Sequence, residues 1–433
     1  MSEWKRVKIG DVCTIEKGIT GLAKAIPGEY PLVATSAQRK TSTDYQFDAK
    51  AVCIPLVSST GHGKKTLNYV HYQEGKFALG SILAALIPKD DKILNARYLH
   101  VYLQKNKDRV IVPLMKGAAN VSLSMKSISG IEIPLLDIQK QEMVLQKIDG
   151  MSCEHEDFIK ETDTQVNLFG HLRQAVLQEA IVGKLTAEWR KQNSEFIRGE
   201  NHASRLLEKI RAEKDRLIKE GKLHKGKPLS SLTNDEQPFT LPSGWAWCRL
   251  GDWGITQTGT TPSTIDIGNF GTYIPFIKPA DITLKGIDYA NEGLSEKGLN
   301  EGRLIKRNSV LMVCIGGSIG KSFFTDRDVS CNQQINSITL LAQLNSRLLH
   351  QLLQSKYFQF EVWDKAMKSS TPIINKGRWE EILFPMPPLA EQRIILARLD
   401  ELLTMIDELE KQVDERKEQA EMLMNSVLRE AFA

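Results

Sequence analysis

One segment of the sequence has the glycine and lysine pattern of a phosphate-binding loop. Gly316-Gly317-Ser318-Ile319-Gly320-Lys321-Ser322 follows an apolar run that is typical of a β-strand. A P-loop needs four residues between its first glycine and its Gly-Lys pair, and then a helix whose N-terminus faces the phosphate. Here three residues intervene, and Phe323-Phe324-Thr325-Asp326 does not begin a helix. We therefore predict a hairpin turn that presents Lys321 to a phosphate, without nucleotide hydrolysis, and its counterpart in the first half at Gly61-His62-Gly63-Lys64.

The other residue patterns that could do chemistry are incomplete. Met386-Pro387-Pro388-Leu389 lacks the polar and aromatic residues that flank the double proline of amino-methyltransferases and hold a target base. His100 and His350 recur on predicted helices, where a structural role is expected, and the histidines form no recognisable triad. The six cysteines include no C-x-x-C pair, which favours reduced, buried thiols. We predict no catalytic residue, no metal site and no cofactor bound by this chain.

Charge is distributed unevenly along the chain. The net charge is +4, but residues 1–136 carry 19 Lys/Arg against 11 Asp/Glu, and residues 184–228 carry 13 against 7. Residues 137–183 carry 4 against 9, and residues 387–433 carry 6 against 11. Basic segments are suited to lie along phosphates, whereas acidic segments are repelled from them and suit a protein partner.

The sequence contains one pattern twice, at an offset of about 250 residues, which indicates a duplicated half-molecule rather than a solenoid. Between the matching motifs, residues 25–75 have little counterpart in 266–325. One scaffold carrying two different surfaces is expected of a protein that reads two different targets. The matching motifs are Trp4 with Trp245, Lys8-Ile9-Gly10-Asp11 with Arg249-Leu250-Gly251-Asp252, Asn95 to His100 with Asn345 to His350, Leu103-Gln104 with Leu353-Gln354, Met115-Lys116 with Met367-Lys368, Pro134 with Pro385, Ile148-Asp149 with Leu399-Asp400, and Leu172 to Ala180 with Leu423 to Ala431.

The coarse pattern predicts a mixed α+β fold with two globular domains. Short apolar runs at 51–57 and 309–315 are typical of strands, and helices are predicted over 95–106 and 345–361. The predicted boundaries are a first domain at 1–136, a central long helix at 137–183, a charged linker at 184–242 with a helix at 202–220, a second domain at 243–386 and a C-terminal long helix at 387–433.

Each half ends in a long helix with a narrow apolar stripe. A proline precedes each helix, as is tolerated only at a helix start, and Glu391 in the first turn of the second one favours its positive end. A narrow stripe over some 40 residues needs a partner stripe, so we predict an antiparallel coiled coil between the two; separate helices that each cap their own domain are the alternative. The stripes are Val144, Ile148, Met151, Phe158, Val166, Phe169, Leu172, Val176 and Ala180 in the first helix, and Ile395, Leu399, Leu402, Ile406, Leu409, Val413, Ala420, Leu423, Val427 and Ala431 in the second.

The linker between the halves has three lysines within 222–227. A solvated connecting helix is the simpler interpretation, and contact with the DNA backbone is the alternative.

The repeated plan resembles the specificity subunits of Type I restriction-modification systems over essentially the whole chain. In the first copy, residues 136–141 have lost the Pro-Pro-Leu-Ala-Glu-Gln form found at 387–392, which leaves the start of that helix in doubt. The residues that carry the resemblance are Phe239-Thr240-Leu241-Pro242-Ser243-Gly244-Trp245, Pro385-Met386-Pro387-Pro388-Leu389-Ala390-Glu391-Gln392-Arg393, Leu177 to Leu185, and Arg211 to Pro228.

The resemblance implies two target recognition domains that each read one half of a split site in double-stranded DNA. It also implies that the long helices set the spacing and bind two methyltransferase subunits, which hold S-adenosylmethionine and methylate adenine N6, while restriction/translocase subunits cut DNA. Arginine or lysine can bond guanine, and asparagine or glutamine can bond adenine. On that ground the candidate DNA-binding residues are Gln38, Arg39, Lys40, Lys64, Lys65 and Asn120 in the first domain, and Lys278, Lys321, Asn332, Gln333, Gln334, Asn375 and Lys376 in the second.

The chain has no apolar run of the roughly 18 residues that span a bilayer, so a cytoplasmic protein is expected. A self-sufficient DNA methyltransferase or nuclease, and a coiled-coil scaffold that reads no DNA, remain as alternatives. Methyl transfer by the isolated chain would favour the first of these, and a lack of sequence preference in the assembled complex would favour the second.

Overall fold

The computed structural model describes residues 5–23, 25–60, 63–118, 120–283, 285–367 and 371–430. Trp4, Gly61, His62, Lys368 and Ala431, which take part in the sequence repeat, the predicted turns or the predicted stripe, lie outside the described residues. The chain divides into two compact units. Unit 1 comprises residues 1–163 and 414–433, and unit 2 comprises residues 164–413.

Unit 1 is built from short strands and three short or medium helices before the first long one. Its strands are β1 (Lys5–Lys8), β2 (Cys13–Lys17), β3 (Tyr30–Val33), β4 (Lys40–Ser42), β5 (Phe47–Asp48), β6 (Ala51–Pro55), β7 (His71–Gln73), β8 (Lys76–Leu79), β9 (Leu83–Pro88) and β10 (Glu132–Leu135). Its helices are α1 (Ile9–Val12), α2 (Ala96–Val110), α3 (Met125–Ser129) and the first part of α4 (Ile138–Ile181).

Two four-stranded sheets and one strand pair form the β-structure of unit 1. The antiparallel sheet has the order β2-β9-β6-β7, and the second sheet has the order β4-β3-β8-β5 with β3 parallel to β8. Strands β1 and β10 form a separate antiparallel pair, with Val7 opposite Ile133. Strand β6 is buried at every position because both of its faces are covered, one by α2 and the other by the cluster around Phe77.

Unit 2 begins within α4 and repeats this plan after a helical segment. Its further helices are α5 (Ala187–Gln192), α6 (Ala203–Lys219), α7 (Glu296–Glu301), α8 (Ser346–Leu353), α9 (Lys356–Lys365), α10 (Lys376–Glu380) and α11 (Leu389–Glu430). Its strands are β11 (Ala246–Arg249), β12 (Gly254–Thr258), β13 (Phe270–Ile277), β14 (Gly293–Leu294), β15 (Ser309–Val313), β16 (Ser322–Phe324), β17 (Ser330–Cys331), β18 (Ile335–Leu340) and β19 (Leu383–Met386).

The sheets of unit 2 confirm the internal repeat. The order β12-β18-β15-β16 matches β2-β9-β6-β7, and β13 lies parallel to β17 as β3 does to β8. The antiparallel pair β11–β19 matches β1–β10. The mixed α+β fold with two related domains, predicted from the sequence, is therefore present.

The medium helices show one agreement and one correction. Asn95 caps α2 by accepting a hydrogen bond from the Arg97 amide at 2.8 Å, close to the predicted start. The single helix predicted over 345–361 is wrong, because the chain breaks between α8 and α9. Ser355 causes the restart, since its hydroxyl accepts a hydrogen bond from the Phe358 amide at 3.3 Å and so caps α9.

The two long helices begin at equivalent positions. Gln141 in α4 donates to the Leu136 carbonyl at 2.8 Å, and Gln392 in α11 donates to the Pro387 carbonyl at 3.0 Å. The altered sequence before α4 therefore leaves its start in place at Ile138.

The two long helices contact each other within each unit, and in unit 2 they run antiparallel. In unit 2, Arg173 of α4 bonds Asp407 of α11 at 2.6 Å, while Thr186, beyond the end of α4, bonds Glu391 near the start of α11. In unit 1, Asp163 of α4 bonds Lys417 of α11 at 2.6 Å. The predicted pairing of the helices is confirmed, although the apolar stripe is narrower than predicted.

The stripe prediction fails at positions that face solvent. Ile148, Val176, Ile395, Leu399 and Ile406 are buried as predicted. The buried face of each long helix is narrower than the predicted stripe. Four stripe residues are therefore 38–61% exposed, namely Val166, Leu172, Leu409 and Leu423.

The charged segment between the halves is part of unit 2 and is not a solvated connector along its whole length. Helix α6 spans nearly the predicted 202–220, and it buries one face in the core of the second domain. Ala203, Leu206, Leu207 and Ile210 share a cluster with Trp253 there. The simpler interpretation of this helix as fully solvated is therefore wrong.

All six cysteines are free, and Cys153 is the exposed one. No helix among the described residues combines the length and the apolar character needed to cross a membrane.

Candidate nucleic-acid interface

The glycine turn of unit 2 connects two antiparallel strands. Strands β15 and β16 pair with Met312 opposite Ser322, and the residues between them form the turn that ends at Lys321. Gly316 and Gly320 have φ of +82° and +87°, values that favour glycine. A strand rather than a helix follows the turn, so the geometry of a P-loop is absent here. The predicted hairpin is therefore present, and Lys321 lies half-buried at its end.

The break between α8 and α9 braces this turn. The Gln359 side chain donates to the Gly320 carbonyl at 3.1 Å and to the Leu353 carbonyl at 2.8 Å. The Gln354 side chain donates from Nε2 to the Ser322 hydroxyl at 2.9 Å. Both residues flanking Lys321 are therefore tied to the helix break, which orders the backbone that carries the lysine.

His350 completes the support of the turn. Its Nδ1 lies 3.3 Å from the Ser322 hydroxyl, and its ring centroid is 4.7 Å from that of Phe323. Burial lowers the pKa of His350 to about 4, with a further contribution from Arg347. The ring is therefore neutral near pH 7, and its role is structural, as expected from the sequence.

A second segment of unit 2 lies against the turn. The Gly316 amide donates to the Pro372 carbonyl at 2.9 Å, and the Ile374 amide donates to the Cys314 carbonyl at 3.0 Å. This segment leads directly into α10, which carries two predicted DNA-binding residues. Asn375 caps α10 by accepting from the Arg378 amide at 2.9 Å, and Lys376 pairs with Glu380 at 2.7 Å.

Unit 1 places its lysines on the equivalent strand connection. Lys64 and Lys65 are exposed on the loop between β6 and β7. Ser58 orders this loop, because its hydroxyl donates to the Lys64 carbonyl at 2.6 Å and accepts from the Thr66 amide at 3.1 Å. Asn120 is exposed on a second loop that lies close to this one. The loops are so close that a Cβ placed on Gly63 would touch the Ala118 carbonyl.

The other candidates of unit 1 lie on the β3–β4 connection and at the start of β4. Gln38, on the connection, and Lys40, the first residue of β4, are both exposed. Arg39 is held against β7 by bonds from Nε to the Gln73 side chain at 3.0 Å and from Nη2 to the Tyr72 carbonyl at 3.0 Å. Most of the donors of Arg39 are thus used within the protein, which leaves Gln38 and Lys40 the freer side chains of the three.

Three candidates of unit 2 share one turn between β17 and β18. Asn332 is buried and accepts from the Gln334 amide at 3.1 Å, while its own amide donates to the Gln334 side chain at 3.1 Å. Gln333 is exposed and accepts a hydrogen bond from the Thr261 hydroxyl at 2.5 Å. Lys278 lies elsewhere and pairs with Glu292. Of this group, Gln333 presents its side chain most openly to a ligand.

The buried charges of unit 2 form a network that the sequence analysis did not foresee. Glu391 is fully buried, and it accepts from Trp245 Nε1 at 2.8 Å and from the Thr186 hydroxyl at 2.5 Å. Arg190 forms an ion pair with the same carboxylate. The network joins α5, the first strand region of the domain and the start of α11. The only sequence signal for it was the acidic residue in the first turn of that helix.

A repeated ion pair explains two of the motifs found in both halves. Arg97 of α2 contacts Asp149 of α4 at 2.8 Å, and Arg347 of α8 contacts Asp400 of α11 at 2.8 Å. Each pair links a domain helix to a long helix within its own unit. Both pairs are half-exposed, so they contribute at most about 1 kcal/mol and serve mainly to orient the helices.

Metal-ligand clusters and activated thiols are the two kinds of reactive centre considered for the described residues. No group of three or more His, Cys, Asp or Glu among them could hold a metal ion. Burial raises the pKa of the Cys13, Cys53 and Cys314 thiols to about 12, so these thiols are protonated and inert near neutral pH. What the two units present instead are braced turns with polar and cationic side chains, an arrangement suited to binding.

Comparison with known proteins assigns this architecture. The sequence profile of the Type I restriction modification DNA specificity domain matches twice, at residues 1–153 and 242–419. The chain is 28% identical over 281 residues to the Type I restriction enzyme EcoAI specificity subunit of Escherichia coli, covering 62% of this chain and 45% of that protein. It thus spans less than half the length of that relative. It is 23% identical over 437 residues to the EcoDI specificity subunit of Escherichia coli, covering 99% of this chain and 88% of that protein.

Solved structures support the same fold. The HsdS subunit of Thermoanaerobacter tengcongensis superposes with a TM-score of 0.59 at 15% identity, covering 100% of this chain and 97% of the other. A chain from a structural study of complex assembly and conformational transition of the type I R-M system gives a TM-score of 0.64 at 14% identity, covering 100% of this chain and 98% of the other. With two profile matches that together include most of its length, this chain belongs to the family of Type I restriction-modification DNA specificity subunits.

Proposed function

We propose that this chain selects the DNA target of a Type I restriction-modification complex by reading a bipartite site. The first domain reads one half of the site and the second domain reads the other. The observation that carries this proposal is that one strand-turn scaffold occurs in both units while the residues on it differ. Lys64 and Lys65 stand on the connection after β6, and Lys321 stands on the connection after β15.

The division of labour within each domain follows from side-chain chemistry. Exposed lysines such as Lys64 and Lys65 are suited to phosphates and fix the position of the domain on the duplex. Exposed amides such as Gln38, Asn120 and Gln333 can bond the edge of adenine in the major groove. Sequence preference would then arise from the amides and position from the lysines.

We further propose that the long helices hold the partner subunits. Two methyltransferase subunits would bind along α4 and α11, bring S-adenosylmethionine and methylate adenine N6, and restriction/translocase subunits would join through them. Residues 137–183 and 387–433 each carry an excess of five acidic residues over basic ones, which disfavours DNA and favours a protein partner. The chain itself would catalyse no step.

The test is methylation mapping in a host that lacks other adenine methylation. The methyltransferase subunits are expressed with and without the full chain, and methylated adenines are mapped across the genome. We expect a split target with two defined parts only when the chain is present. Methylation of the same pattern without the chain, or by the chain alone, would refute the proposal.

A further inference from the structure

We propose that the linker between the two halves forms a phosphate-binding pocket with α6 and α10, and that this pocket holds the DNA backbone beside the second recognition domain. This inference rests on the proposed DNA-reading function and adds a contact outside the two recognition surfaces. In this proposal the linker is part of the DNA-binding surface as well as the connection between the two halves.

The pocket is an open cavity of about 500 Å³ in unit 2. Arg211 and Lys214 enter it from α6, Lys225 and Lys227 from the linker, and Lys376 from the first turn of α10. Backbone of Gly226 and Gly251 also lines it, which leaves room for a bulky group to approach.

The charges that line the pocket are mostly positive. Five lysine or arginine side chains face two carboxylates, Asp215 and Glu380. Lys376 is paired with Glu380 at 2.7 Å, which uses one of those carboxylates. Lys225 and Lys227 are exposed, and neither has an acidic partner within 4.0 Å among the described residues. Two lysines on a short glycine-containing segment are therefore available for an anion.

A further cation lies deeper in the pocket. The Lys214 ammonium donates to the Gly251 carbonyl at 2.6 Å, and burial lowers its pKa from the ordinary value. Arg211 lies 3.8 Å from Asp252, at the edge of ion-pair distance. An anion in the pocket would compensate the partly desolvated charge of Lys214, whereas another cation or an apolar group would not.

The position of the pocket points to the DNA backbone as its occupant. Pro372 is bonded to the lysine turn through Gly316, and Lys376 follows only four residues later. An extended chain covers at most about 3.6 Å per residue, so Lys376 lies within about 14 Å of that contact. Gly316 belongs to the same turn as Lys321. A duplex held at Lys321 would therefore run near the pocket, and its phosphates, which rise by about 3.4 Å each along one strand, are the anions nearest to it.

All residues that line the pocket belong to unit 2, so the proposed contact belongs to the half of the target that the second domain reads. Protection of phosphates would extend further beyond the half-site read by the second domain than beyond the other. Because lysine recognises a phosphate without reading a base, the contact would act equally on all sequences.

The experiment compares the double variant Lys225→Ala/Lys227→Ala with Lys222→Ala in the complete complex with the methyltransferase subunits. Lys222 is a matched control, because it lies in the same segment but pairs with Glu220 at 2.9 Å and does not line the pocket. Binding to a mixed-sequence duplex and to a duplex with the mapped target is measured across a salt series. Each lost phosphate contact should lower the slope of log affinity against log salt by about 0.9, so the double variant should lose about 1.8 on both duplexes.

The outcomes separate this inference from the proposed function. If the double variant keeps the wild-type slope while Lys321→Ala lowers it, DNA is read as proposed but the pocket is not a backbone site. If the double variant instead fails to assemble with the methyltransferase subunits, the pocket binds protein and the inference is overturned. If the wild-type complex shows no preference for any target, the proposed function itself fails.

Discussion

Replacing Glu391 by alanine should destabilise unit 2 by about 3–5 kcal/mol, the usual loss when one partner of a buried ion pair is removed. Glu391 is fully buried, and the side chain of its partner Arg190 is only 10% exposed. After the substitution Arg190 keeps the Gly183 carbonyl and the Thr186 hydroxyl as partners, but no carboxylate. Trp245 Nε1 also loses its acceptor.

Two further variants separate charge from packing. Glu391→Gln keeps the volume and one acceptor oxygen but removes the negative charge beside Arg190, so its loss should be smaller than that of Glu391→Ala and should report mainly the unpaired charge. The double variant Arg190→Met/Glu391→Leu removes both charges together and should recover most of the stability lost in Glu391→Ala, because no buried charge is left unpaired.

The assay is urea denaturation of the full chain followed by circular dichroism. It is fitted with separate transitions for the two units, since a chain of two units need not unfold in one step. Glu391→Ala should shift the unfolding midpoint of unit 2 and leave the midpoint of unit 1 unchanged. A loss below about 1 kcal/mol for Glu391→Ala, or a double variant as unstable as the single one, would refute the reasoning about this network.

The remaining predictions concern DNA contact, pH and thiol reactivity. Lys64→Ala and Lys321→Ala should each lower the salt slope of DNA binding by about 0.9, measured by fluorescence anisotropy, and an unchanged slope would argue against a phosphate contact. His350 has a folded-state pKa of about 4 and an unfolded value of 6.5, so the unfolded state binds its proton first as pH falls. Its contribution should be present above pH 6.5 and decline towards pH 4 by about 3 kcal/mol, and His350→Gln should flatten this part of the stability profile; identical profiles would contradict the assignment. Iodoacetamide should modify Cys153 alone in the native chain, as mass spectrometry would show, and modification of the buried Cys13 under the same conditions would disprove the described burial.

The duplicated architecture could be predicted because residues that form the same contact in both halves recur as motifs in the sequence. Arg97 and Arg347 sit at equivalent places in the repeat, and each meets an aspartate of a long helix. Glycine spacing after an apolar run was likewise enough to distinguish the hairpin at Lys321 from a P-loop, because strand β16 follows where a P-loop needs a helix.

Other features depend on contacts between distant residues and could not be deduced from local pattern. The residues on both sides of Ser355 have a helical pattern, so the sequence does not reveal the break. The cap by Ser355 and the bond from Gln359 to the turn explain it. The Glu391 network joins residues as much as 205 positions apart in the sequence. The contact of Arg39 with β7 could not be deduced from the sequence either. The guanidinium group that was expected to bond a base bonds the Gln73 side chain equally well.

The most direct measurement of the central claim is an exchange of residues 243–386 for the matching segment of a relative with another target, followed by adenine methylation mapping of the resulting complex. One part of the split recognition sequence should change to that of the donor while the other part stays as it was. A target in which both parts are retained, or both are altered, would contradict the assignment of one half-site to each domain.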